Sequence, residues 1–128
     1  QRCGQIGIFR DNIQSEIDKA WGNQRAEYVF RGNLPSRLDY VCFVNFSKGF
    51  TNQEIGMELE RYGGRGGNFY FYHPEKSCEM HYMDLRYIDL DKILSRENPY
   101  CIPVEKGEVS INIKKVYGDS LVCLGKYC

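Results

Sequence analysis

Both histidines of the chain fall in one nine-residue stretch, HPEKSCEMH at positions 73 to 81, with Glu75, Cys78 and Glu79 between them. Imidazoles and carboxylates at this density are the groups that general acid–base chemistry uses. His73 and His81, paired with Glu75 or Glu79, would supply the proton acceptor and proton donor of a hydrolytic or transphosphorylating ribonuclease, with Arg86 steadying phosphate charge. A zinc site built from His73, Cys78 and His81 is the other chemistry to weigh. It would remove one thiol from an even cysteine set, and no second Cys/His pair stands at zinc-finger spacing, so neither a metal nor another cofactor is expected. Against both stands a reading without chemistry, in which Pro74 to Ser77 form a surface turn and the histidines are edge or half-buried aromatics. Alternation in CEMHYM then puts Met80 and Tyr82 on one face and Glu79 and His81 on the polar other.

A second stretch, RYGGRGGNF, carries four glycines with Arg61 and Arg65. A glycine-rich loop can cradle phosphate, but the Lys-Ser/Thr of a P-loop is missing and the segment before it reads as a helix, not a strand. An RGG beside aromatics is also a feature of single-strand nucleic-acid binding, which makes RNA a candidate partner. The simplest expectation is a flexible loop that ends the helix. Downstream, Tyr70, Phe71 and Tyr72 are consecutive, so one face of that strand must show an aromatic or be covered by a helix. Arg61, Arg65, Tyr70 and Tyr72 are therefore the expected binding residues, because exposed aromatics and arginines mark recognition surfaces.

Composition limits what these groups can serve. The 128 residues suit one domain, and 17 Lys+Arg balance 17 Asp+Glu, leaving no global field to draw in nucleic acid or an anionic membrane. No apolar run approaches the length of a membrane span. The sequence starts at Gln1, as a mature form does after signal-peptide removal, and Gln in that place can cyclise to pyroglutamate. Six cysteines, Cys3, Cys42, Cys78, Cys101, Cys123 and Cys128, with no CxxC, predict three disulfides and a secreted, extracellular protein. A clamp from Cys3 to Cys123 or Cys128 is the favoured bridge, since it would close the longest loop.

The elements follow from punctuation and period. In FRDNIQSEIDKAWG, Asp11 can cap a helix whose Ile13, Ile17, Ala20 and Trp21 share a face, and Gly22 can stop it. In FTNQEIGMELERYGG, Thr51 and Glu54 form a capping box, Phe50 and Ile55 a hydrophobic staple, Leu59 and Tyr62 continue the face, and Gly63 and Gly64 end it. CGQIGIF and LDYVCFVNF read as extended stretches before each helix, and AEYVFRG and GNFYFYH as strands, with GNLPSR a turn. EVSINIKKVY and SLVCLGKY form a hairpin about Gly118-Asp119. MDLRYIDLDKILSR begins with strand-like alternation, and Asp89 can cap a short helix through Ile93 and Leu94. The expectation is a single α+β domain over residues 1 to 128, an antiparallel sheet packed against two helices and stabilised by disulfides.

Cys3-Gly4 followed by Phe9, Ile13, Ile17 and Ala20, then strands, then a cysteine at the C-terminal end, resembles the secreted fungal ribonucleases of the guanyl-specific type and the ribonuclease-like effectors of plant-pathogenic fungi. YCIPVEKGEV is similar to that family's apolar-Pro strand before a Gly turn. The resemblance covers about the first 22 and last 30 residues, and implies a cysteine-bearing strand leading into an amphipathic helix on an antiparallel sheet. It departs from that family in three ways: Tyr72-His73-Pro74 inverts the enzymes' Tyr-Pro-His order, no histidine lies near the C-terminus, and the helix expected at 51 to 62 is not part of the simple family plan. What it implies is the non-catalytic effector branch, whose surface binds a host protein. The expected function is thus a secreted effector-like or toxin-like protein of virulence or avirulence type. Its expected partner is a host or target protein, an immune receptor among the candidates, and it is expected to act as a monomer. A secreted ribonuclease using the His/Glu pair is the alternative.

Overall fold

The computed structural model describes residues 3–128; the proposed pyroglutamate at Gln1 lies outside the described residues. The chain is an α+β fold with exclusively antiparallel strand pairing within its two sheets and three disulfides. Helix α1 spans Cys3–Trp21, β1 Ala26–Asn33, β2 Tyr40–Phe43, α2 Gln53–Gly63 and β3 Phe69–Tyr72. A 3-10 turn follows at Pro74–Lys76, then β4 Tyr82–Met83, α3 Leu90–Ile93, β5 Tyr100–Pro103, β6 Glu108–Lys115 and β7 Cys123–Leu124. The strands are divided between a three-stranded sheet, β1-β6-β7, and a four-stranded one, β4-β3-β2-β5.

Helix α1 starts two turns before the expected point, and CGQIGIF is helical, not extended. The reason lies in the burial: Ile6, Phe9, Ile13, Ile17 and Ala20 are all buried, an unbroken run of three- and four-residue steps that needs Ile6 as its first member. Asp11 is therefore an exposed mid-helix residue and not a cap, and Trp21 lies outside the buried stripe, stacked on Tyr87 at 3.8 Å. Phe9 joins the two sheets, touching Phe30 of β1 and both Phe69 and Phe71 of β3. Gly32 on β1 permits this approach, since a Cβ there would sit 2.5 Å from the Phe9 ring.

The four-stranded sheet is covered on both faces. Val41, Phe43, Phe69 and Phe71 enter the main core under α1. Cys42, Val44, Tyr70 and Tyr72 point the other way, into a second cluster with Leu59, Ile55, Phe46 and Phe50 beneath α2. The hydrophobic staple of Phe50 and Ile55 belongs to that cluster, but the cap is one residue later than expected. Asn52 caps α2 by accepting from the Ile55 amide, while the Thr51 hydroxyl accepts from the Asn98 amide. At the other end Gly64 adopts the left-handed conformation that stops a helix. Asp89 caps α3 through the Lys92 amide as expected, and the β6–β7 hairpin forms with Ile113 opposite Leu124.

The favoured terminal clamp does not form. Cys3 pairs with Cys78, Cys42 with Cys101, and Cys123 with Cys128. Cys42 and Cys101 lie directly opposite each other on β2 and β5, and Cys123 and Cys128 flank the tight turn at Gly125. Cys3 is left for Cys78 because α1 runs across the core and places its first turn beside the segment after the 3-10 turn.

Candidate functional site

The stretch from His73 to His81 is divided between two environments. His73 directly follows β3, and its Nε2 lies 2.7 Å from Asp39 Oδ2. A carboxylate only accepts, so Nε2 of His73 donates to it. His81 is held the other way round. Its Nδ1 lies 2.8 Å from the Pro74 carbonyl, which also only accepts, and 3.1 Å from the Ser77 hydroxyl, so here Nδ1 is the donating nitrogen. Ser77 itself donates to the Pro74 carbonyl, closing a compact turn in which Ser77 and Pro74 are buried. Among the described residues no hydrogen bond or ring contact joins the two histidines.

The remaining residues of the expected catalytic set are dispersed. Glu79 is exposed. Arg86 lies against α1, 4.0 Å from Asp18, where it lines a cleft of about 470 Å³ with Arg10, Gln14 and Asp84. Glu75 alone joins His73. One oxygen each of Glu75 and Glu58 and one ring nitrogen of His73 lie within 4.8 Å of one another, a mixed carboxylate–imidazole set of the kind that divalent cations accept. The sequence-based zinc set fails, because Cys78 is bonded to Cys3 and has no thiolate to give. Glu58 was not legible as a neighbour of His73, since it arrives from α2.

Tyr72 binds this acidic corner from below. Its hydroxyl donates to Glu58 Oε1 at 2.9 Å. Burial, then that hydrogen bond, then the charges of Glu58, Glu54 and Glu75 push the phenol up to about 12. Among the described residues no Lys or Arg stands within ion-pair distance of Asp39, Glu54, Glu58 or Glu75.

The expected binding aromatics are not at the surface. Tyr70 is 0% exposed and Tyr72 is buried, so neither offers a contact face; α2 is the covering helix that the consecutive aromatics require. The glycine loop closes over Tyr70, whose hydroxyl donates to the Gly66 carbonyl, and a Cβ at Gly63 would overlap that hydroxyl. Its amides are engaged internally, Gly64 to Glu60 and Gly66 to Gly63, so it is a fitted cover and not an open phosphate cradle. Arg65 is likewise engaged, its guanidinium donating to the Phe46 carbonyl and lying 3.7 Å from Glu60. Arg61 is exposed.

Two other tyrosines take the surface. Tyr62 at the end of α2 is 36% exposed and Tyr82 on β4 is 38% exposed. Both border the glycine loop: Tyr62 sits edge-on to His81 at 5.3 Å, and Tyr82 stacks on Tyr70 at 5.2 Å and packs against Gly66 and Gly67. Comparison with the models of known protein families, with curated proteins and with solved structures finds no match. Three disulfides are typical of extracellular proteins. Among the described residues no helix is long and apolar enough to cross a membrane.

Proposed function

We propose that the chain is a secreted effector-like or toxin-like binding domain that engages a host or target protein without catalysing a reaction. The contact surface is the rim of the glycine loop: Tyr62 and Tyr82, flanked by Arg61 and His81. The observation that supports this is the pair of partly exposed tyrosines packed on buried or hydrogen-bonded neighbours. Tyr82 stacks on fully buried Tyr70, and His81, which Tyr62 contacts, is held by Pro74 and Ser77. Rigid, partly exposed tyrosines beside an arginine lose little side-chain entropy on binding, and they form the energetic centre of many interfaces. The disulfide frame suits survival outside a cell, and the resemblance to ribonuclease-like effectors points the same way.

A photo-crosslinker at position 62 tests the surface, with one at exposed Tyr117 as the control position. In extract of the target tissue the position-62 probe should capture a discrete protein that the position-117 probe does not, and Tyr82→Ser with Arg61→Glu should abolish the capture. Equal capture at both positions, or capture indifferent to those changes, overturns the surface. The ribonuclease alternative is tested by incubation with single-stranded RNA between pH 5 and 8. Cleavage lost in His73→Ala or His81→Ala would replace the binding reading with the enzymatic one.

A further inference from the structure

Four strands form the edges of the two sheets, and three of them are blunted. β4 and β7 are two residues long, and β5 is four residues long and ends in Pro103. Shortness and proline are the usual protections against edge-to-edge pairing. The fourth edge, β1, has neither. It runs eight residues from Ala26 to Asn33 in unbroken register with β6, with no bulge, proline or lysine.

Two backbone hydrogen bonds reveal which way its groups point. The Leu34 amide donates to the Gly107 carbonyl, and on the far side of β6 the Gly125 amide donates to the Asn112 carbonyl. Asn112, the partner of Val29, therefore turns its peptide groups toward β7 and away from β1. In an antiparallel ladder both members of such a pair point outward. Glu27, Val29 and Arg31 thus present their N–H and C=O groups to the open edge, and among the described residues no other backbone group bonds to them. Their side chains lie on the exposed face of the sheet, opposite the one α1 covers, and Val29 is 42% exposed.

We infer that this edge is a self-recognition surface, on which β1 of a second copy pairs antiparallel about a two-fold axis at Val29. The side-chain order makes the strand complementary to itself. With Val29 opposite Val29 of the second copy, Glu27 faces the second copy's Arg31, and Arg31 faces its Glu27. Like charges never meet, and an apolar β-branched pair sits at the centre. Neither Glu27 nor Arg31 has an ion-pair partner among the described residues, so both are available for the cross-strand bonds. The same register aligns the outward peptide groups of residues 27, 29 and 31 as hydrogen-bonded pairs, each exchanging two bonds, and merges two three-stranded sheets into one. The surface lies on the sheet that carries none of the tyrosine rim, so one copy can use both. The monomer expected from the sequence is then the dilute limit of a monomer–dimer equilibrium.

Sedimentation velocity on the oxidised protein across a concentration series tests this, with near-UV circular dichroism as the control for folding at these exposed positions. Wild type should pass from monomer to dimer. Glu27→Arg or Arg31→Glu alone sets like charges opposite each other twice and should weaken the dimer about tenfold at low salt. The double exchange, Glu27→Arg with Arg31→Glu, should restore it, and an equimolar mixture of the two single variants should form the mixed dimer. A monomer at every concentration overturns the inference. So does a dimer indifferent to the single reversals, or one that the double exchange fails to restore.

Discussion

Strand β3 carries four aromatic residues and hides all of them, whereas β1 alternates inward residues with charged or β-branched ones and leaves Glu27, Val29 and Arg31 in solvent. Aromatic content therefore locates the double-sided core of this molecule, and its exposed surfaces come from strands of mixed character. The difference has a structural cause. β3 is an inner strand of the four-stranded sheet with α1 on one side and α2 on the other, while β1 is an edge strand with a helix on one side only.

The bridges give the largest separation between the two sheets. Cys42–Cys101 joins residues 59 apart within the four-stranded sheet, and Cys3–Cys78 spans 75. Loop-closure entropy assigns each about 4 kcal/mol, against about 2 kcal/mol for Cys123–Cys128, which spans 5. For a domain whose stability is about 5–15 kcal/mol, full reduction should unfold the chain. Denaturant titration should show Cys42→Ala with Cys101→Ala losing clearly more than Cys123→Ala with Cys128→Ala. Equal losses would mean that native-state packing, and not chain closure, sets the effect.

Single side chains should repeat the pattern on a smaller scale. Tyr70→Ala empties a site enclosed by Phe46, Tyr82 and the glycine loop and should cost about 3–5 kcal/mol. Val29→Ala, at an exposed position, should change stability by less than about 0.5 kcal/mol. Chemical denaturation checks both, and comparable costs would erase the distinction between the strands.

A further effect is one of pH. With its phenol pushed up to about 12 in the fold against 10 when unfolded, Tyr72 is protonated in both states below pH 10, where its full contribution to stability is present. Between pH 10 and 12 the unfolded chain releases the proton while the folded chain holds it, so stability falls as pH rises. Tyr72→Phe removes this slope. Its urea midpoint should fall less than that of wild type between pH 10 and 11, and parallel curves would contradict the assignment.

What the sequence disclosed was local. The β6–β7 hairpin is written in the alternation of Val109, Ile111 and Ile113, and α2 in its staple and terminal glycines, because each signal lies within a few residues of the structure it specifies. The start of α1 was hidden by Gly4 and Gly7, whose poor helix propensity is overridden by burial of Ile6 and Phe9. The corner around His73 was legible only in its neighbour Glu75, because Asp39 and Glu58 reach it from two other segments of the chain. The same non-locality gave the surface to Tyr62 and Tyr82 and withdrew it from Tyr70 and Tyr72. Their order in the chain says nothing of which pair α2 will cover.

Amide hydrogen exchange at residue resolution, measured at low and at high protein concentration, tests the contrast most directly. Phe69 to Phe71 should exchange slowly at both concentrations. Glu27, Val29 and Arg31 should exchange fast in dilute solution and slowly when the protein is concentrated, while Tyr28 and Phe30 stay protected throughout. Fast exchange in β3, or amides of Glu27, Val29 and Arg31 that are equally protected at both concentrations, would contradict that contrast.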